Sequence, residues 1–192
     1  MLHSVAVYCG SSPAVSKVYL KTAFETGRLL AGFGIDVVYG GGKAGLMGAV
    51  ADGALEARGR VFGYMPTSLI EKEKGHAGIT ELHIVESMHM RKCSMFDHAE
   101  AFIVLPGGFG TLDEAFELLT WHQIGLHEKP VVFVNVSKYW DPLLDLIHHM
   151  EQEQFIRPED RQKVQVATTP EAAIELLRQN KVSHFVSGSH QF

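Results

Sequence analysis

Apolar positions along the chain fall into short blocks separated by amphipathic stretches, and this alternation runs almost from end to end. Blocks of three to five residues, rich in Val, Ile and Phe, predict strands at 5–9, 35–39, 61–65, 82–85, 101–105, 131–134 and 164–167. Stripes at helical spacing predict helices over 19–30, 46–57, 88–98, from 112 onward, 142–150 and 170–178, with Pro170 at a first-turn position that tolerates it. The stretch 67–80 is polar and holds Gly75 and Gly78, so it reads as a loop with one helical turn. Alternating strands and helices with short connections predict an α/β fold, a doubly wound, mainly parallel sheet of about seven strands with helices on both faces. One domain over 1–180 is expected, followed by a tail over 181–192 that carries no periodic signal.

In such a sheet, ligands gather where the carboxyl ends of the strands open into loops. Gly10-Ser11, Gly40-Gly41-Gly42, Ser87 and Pro106 to Thr111 stand at those ends. The most informative stretch is Leu105 to Glu117, LPGGFGTLDEAFE, which reads as strand, glycine turn, helix. That geometry presents bare backbone N–H groups and a helix dipole of roughly half a positive charge to an anion such as phosphate. Gly107, Gly108 and Gly110 remove side chains where something must approach the backbone closely. Thr111 can cap the helix or bond the anion, and Glu114 then lies in the first turn beside it. A competing reading is local: Thr111-Leu112-Asp113-Glu114 is also T-x-x-E, a capping box in which Glu114 only serves a backbone N–H. A second stretch, Met88-His89-Met90-Arg91-Lys92, opens a helix with two cations against its dipole. An anion that neutralises them accounts for the placement, with Arg91 able to grip it in a fork.

Composition narrows the field. A chain of 192 residues with 46 % hydrophobic and 20 % charged residues is ordinary for a soluble domain. The net charge of −5 and the lack of a basic run argue against a nucleic-acid partner. Two cysteines, Cys9 and Cys93, make no disulfide framework and suit a reducing cytosol, and neither a signal peptide nor a membrane-length apolar run is present, so a cytoplasmic protein with no membrane partner is expected. Several motifs mislead. Gly40-x-Gly42-x-x-Gly45 fits the dinucleotide fingerprint, but the next strand ends in Tyr64-Met65-Pro66-Thr67 without the acidic residue that holds a ribose. Gly42-Lys43-Ala44 lacks the hydroxyl of a P-loop. His98-Ala99-Glu100 echoes a zinc deaminase without its C-x-x-C, and His148-His149 reads as a solvated pair. No ligand set suggests a metal, and no cofactor is expected.

With these residues in view, the chain resembles the LOG family of cytokinin-activating phosphoribohydrolases, once mislabelled lysine decarboxylases. Pro106 to Glu114 fits the family's PGGxGTxxE without a gap, and Met88 to Lys92 fits its MHxRK. The resemblance implies a Rossmann-like homodimer, its site near the interface, that cleaves the N-glycosidic bond of adenine-type nucleoside 5′-monophosphates to the free base and ribose 5-phosphate. It implies Arg91 and Glu114 as the catalytic pair. It further implies a substrate-binding set of Lys92, Met88, Gly10, Ser11, Gly41 and Gly42, together with Gly107, Gly108, Phe109, Gly110, Thr111, Leu112 and Asp113. Glu73 matches a further substrate contact more loosely. Met90 and Asp113 depart from the Glu that many members carry at both places. Apart from the family, a non-catalytic nucleotide or cofactor carrier of similar fold is the alternative. A decarboxylase would need pyridoxal phosphate on a lysine, and nothing marks Lys43 or Lys92 for that.

Overall fold

Strand β1 (Ser4–Tyr8) lies near the middle of one seven-stranded sheet, in a computed structural model that describes residues 1–70 and 74–187, the side chains of 180–187 excepted. The other strands are β2 (Asp36–Tyr39), β3 (Val61–Pro66), β4 (Glu81–Val85), β5 (Ala101–Val104), β6 (Val131–Val134) and β7 (Gln165–Ala167). Every neighbouring pair is parallel, in the order β4-β3-β2-β1-β5-β6-β7. Burial follows from this order. The inner strands SVAVY, AFIV and VVFV are buried at every position, because helices cover both faces. The edge strand β4, ELHIV, has no fully buried residue.

The helices are α1 (Lys17–Gly32), α2 (Gly45–Glu56), α3 (Met88–His98), α4 (Phe109–Gln123), α5 (Asp141–Gln152), α6 (Pro158–Gln162) and α7 (Pro170–Ser187). On one face Leu30 of α1, Val50 of α2 and Ile174 of α7 pack on Val5, Val7 and Ile103. On the other, Met95 of α3 and Leu118 of α4 pack on Ala6, Phe102 and Phe133. The doubly wound reading therefore holds, including its seven strands. Among the described residues no helix is long and apolar enough to cross a membrane.

Three helix boundaries differ from expectation, each for a local reason. Helix α4 starts at Phe109, inside the glycine turn, with Gly108 as its cap and no side-chain cap bond. Helix α6 was not foreseen, since five residues are too few to show an apolar stripe; Pro158 at its start and Glu159 and Asp160 in its first turn were its only signal. Helix α7 continues to Ser187 rather than stopping near 178, as no Gly or Pro interrupts the chain before Gly188.

Candidate active site

Sheet order reverses at β1: the chain winds outward to β4 on one side, then returns to lay β5 on the other. The crevice between the loops leaving β1 and β5 is the usual ligand position of such sheets. Here the two loops are bonded together, Gly10 N–H donating to Pro106 O at 3.0 Å, and between them opens a cleft of about 480 Å³. Its walls include Cys9 to Ser12 after β1, Pro106 to Thr111 after β5, Met88 and Arg91 of α3, and Asp113 and Glu114 of α4.

The glycines of this region divide by what needs them. A Cβ on Gly107 would collide with Thr111, and one on Gly40 would collide with the Arg91 guanidinium, so those two give room to other side chains. Gly108 and Gly110 are different: apart from the adjoining chain, no atom of the described residues lies within 4 Å of where their Cβ atoms would be. They line the cleft at the start of α4, where amides have no preceding turn to bond. Packing within the protein does not require their bareness.

The capping-box reading of Thr111 fails. Thr111 is the third residue of α4 and Glu114 the sixth, so Glu114 sits in the second turn, beyond any capping position. The Glu114 side chain instead meets Arg91, Oε1 to Nη2 at 3.3 Å, with both residues 7 % exposed. Burial raises the Glu114 pKa from its ordinary value to about 7, against the pull of the Arg91 charge. The Arg91 Nε is buried and has no partner among the described residues. Taking two ions out of water with one of them partly unsatisfied costs stability, and sites that bear such a cost are commonly functional. Cys9, at the floor, is a buried neutral thiol whose pKa burial pushes well up.

The two cations of α3 are neutralised by carboxylates of the protein. Ser87 caps the helix, its Oγ accepting from Met90 N–H, and Arg91 and Lys92 follow as its fourth and fifth residues. Lys92 does not face the cleft: its Nζ lies 3.0 Å from Asp113 Oδ2 and 3.2 Å from Glu117 Oε2. Gly41, Gly42 and Leu112 are not in the cleft wall either. Gly41 and Gly42 bind the 74–76 segment, where Gly41 O accepts from His76 N–H and Gly42 bridges Gly75. With Gly40 making room for Arg91, the apparent dinucleotide fingerprint has occupants within the protein. Leu112 packs into the core beneath α4. Gly10, Ser11, Met88, Gly107 to Thr111 and Asp113 do line the cleft. Glu73 lies outside the described residues.

Residues unforeseen in the sequence include Tyr19 and Tyr139. Tyr139 donates its hydroxyl hydrogen to Gly107 O at 2.7 Å and meets Tyr19 edge to face at 5.5 Å, forming an aromatic wall. Position was the available signal for Tyr139, which follows the carboxyl end of β6. Among the large apolar residues of α3 and α4, Met95 and Leu118 are core, and Phe96, Leu112, Phe116, Leu119 and Trp121 are half-buried. Met88 and Met90 of α3 and Phe109 of α4 are exposed.

The family model described as "Possible lysine decarboxylase" matches residues 47–177. A cytokinin riboside 5′-monophosphate phosphoribohydrolase of Rhodococcoides fascians is 45 % identical over 176 residues, 91 % of this chain and 89 % of the relative. The Arabidopsis thaliana enzyme of the same name, LOG3, is 38 % identical over 180 residues, 94 % of this chain and 84 % of its own. Among solved structures, a molybdenum cofactor binding protein of Rippkaea orientalis shares the fold with a TM-score of 0.72 at 22 % identity, covering 93 % of this chain and 97 % of that one. A molybdenum cofactor carrier of Chlamydomonas reinhardtii does so with a TM-score of 0.70 at 18 %, covering 93 % and 98 %. The glycine-loop and Met88–Lys92 motifs meet at one cleft, and the match to the Rhodococcoides enzyme runs over nine-tenths of the chain: this chain belongs to the LOG family.

Proposed function

We propose that the protein hydrolyses the N-glycosidic bond of adenine-type nucleoside 5′-monophosphates, AMP and its N6-substituted forms, releasing the free base and ribose 5-phosphate. The observation that carries this is the buried Arg91–Glu114 pair facing a cleft whose open glycines stand at a helix start. The 5′-phosphate occupies the Gly108–Gly110 turn, where amides and dipole favour an anion. Breaking the C–N bond leaves the electron pair on the base and positive charge on the ribose. The Glu114 carboxylate stabilises that charge and orients the attacking water, taking its proton. Arg91 stays charged throughout and stabilises the negative charge on the departing base, which is protonated from solvent. Energy from phosphate binding orients the reacting bond.

Two features weigh against the other readings. A carrier has no need of a carboxylate held near neutrality by burial. A pyridoxal enzyme needs a lysine in its cleft, and none is in the wall among the described residues. The active unit is a homodimer, with the exposed Met88 and Met90 of α3 beside the cleft as part of its interface. Hydrolysis assays with AMP, N6-isopentenyl-AMP and adenosine test the proposal. Both nucleotides give ribose 5-phosphate while adenosine is inert; equal turnover of AMP and adenosine, or tight binding with no product, would overturn it.

A further inference from the structure

Lys92 was expected at the substrate, yet its side chain runs the other way. It is 14 % exposed and lies between two carboxylates of α4, at 3.0 and 3.2 Å. Burial works against its ammonium, and the hydrogen bonds to Asp113 and Glu117 more than offset this, so its pKa is raised. The two carboxylates flank Glu114 on the same helix, one residue before it and three after.

We propose that Lys92 is a positioning residue: held between Asp113 and Glu117, its ammonium cancels their charge beside Glu114 and so sets the pH range in which the reaction has its carboxylate. The inference rests on the reading of Glu114 as that carboxylate. The charged and titratable groups around Glu114 come from three elements: Arg91 and Lys92 from α3, Asp113 and Glu117 from α4 itself, and the neutral Tyr8 and Cys9 at the end of β1. Arg91 and Lys92 favour the ionised form, while Asp113 and Glu117 oppose it. Without Lys92 the balance becomes one cation against two anions, and Glu114 holds its proton to higher pH. The placement of Lys92 in an early turn of α3 is thus met by carboxylates of α4.

The pH dependence of kcat/KM toward AMP distinguishes this from a substrate contact, measured on the wild type, Lys92→Met, Lys92→Arg and the double variant Lys92→Met/Glu117→Gln. The wild type shows an acid limb. In Lys92→Met the limb moves up, so that activity falls about 3- to 10-fold at pH 6.5 and less than about 2-fold at pH 9. Lys92→Arg keeps the wild-type profile, and the double variant, with one opposing charge gone, returns toward it. A loss equal at both pH values, carried by KM and not recovered in the double variant, would mean that Lys92 touches substrate and would overturn the proposal. An unmoved limb in a folded, active Lys92→Met overturns it too. A wild type with no acid limb instead removes the reading of Glu114 on which it stands.

Discussion

Glu114 carries an ionisation that is costly in place. Its folded pKa of about 7 exceeds its ordinary value, so the stability linked to it is complete below about pH 4.5 and lost as pH rises through about 7. Glu114→Gln abolishes that linkage. The thermal stability of the variant relative to wild type therefore rises steadily between pH 5 and about pH 7; a constant difference would show that the carboxylate does not titrate there. Turnover of the same variant falls roughly 10²- to 10⁴-fold. Arg91→Lys keeps the charge but loses the planar fork, and we expect a loss of similar size in kcat with folding intact. Motif and family resemblance singled out these two residues in the sequence, but their contact was not legible there. Thr111 and Glu114 satisfied a capping-box pattern by spacing alone. Only the helix start at Phe109, set by Gly108, shows that the pattern is coincidental.

At the scale of elements, the site depends on how closely α3 approaches the end of β2. The Arg91 guanidinium lies against Gly40, and Met47 closes in beside it, so Gly40→Ala must move one or the other. The variant should lose about 1–3 kcal/mol, the cost of overpacking, and at least about tenfold in activity, read by denaturant unfolding and AMP hydrolysis. Full activity in Gly40→Ala would mean that Arg91 tolerates displacement and is not fixed for catalysis. Strands were readable because buried parallel strands such as AFIV and VVFV are unbroken apolar runs. The short α6 escaped notice because its stability comes from polar bonding. Asp160 accepts from Arg157, Lys163 and Gln123, bonds from residues up to 37 positions away that no local window contains. The aromatic wall escaped for a related reason: Tyr19 and Tyr139 meet only after the sheet is wound.

For the whole molecule, the exposed Met88 and Met90 of α3 lead us to expect a dimer at micromolar concentration by light scattering, with charged substitution at Met90 weakening it. A monomer of full activity would contradict that placement. The reversal of strand order at β1 has a consequence in time as well as in space. β1 pairs with β2 on one edge early in the chain, Ser4 beside Asp36, but its other edge waits for β5, where Val5 meets Ala101. At a synthesis rate of about 5–20 residues per second, a strand destined to be buried at every position keeps one side unpaired for several seconds while the intervening chain is made. Refolding in vitro faces the same delay as a loop-closure barrier. Secondary structure followed by circular dichroism should therefore return before hydrolysis, because the cleft exists only once β5 has docked. A nascent chain halted short of Ala101 would offer β1 as an open template for any other strand nearby.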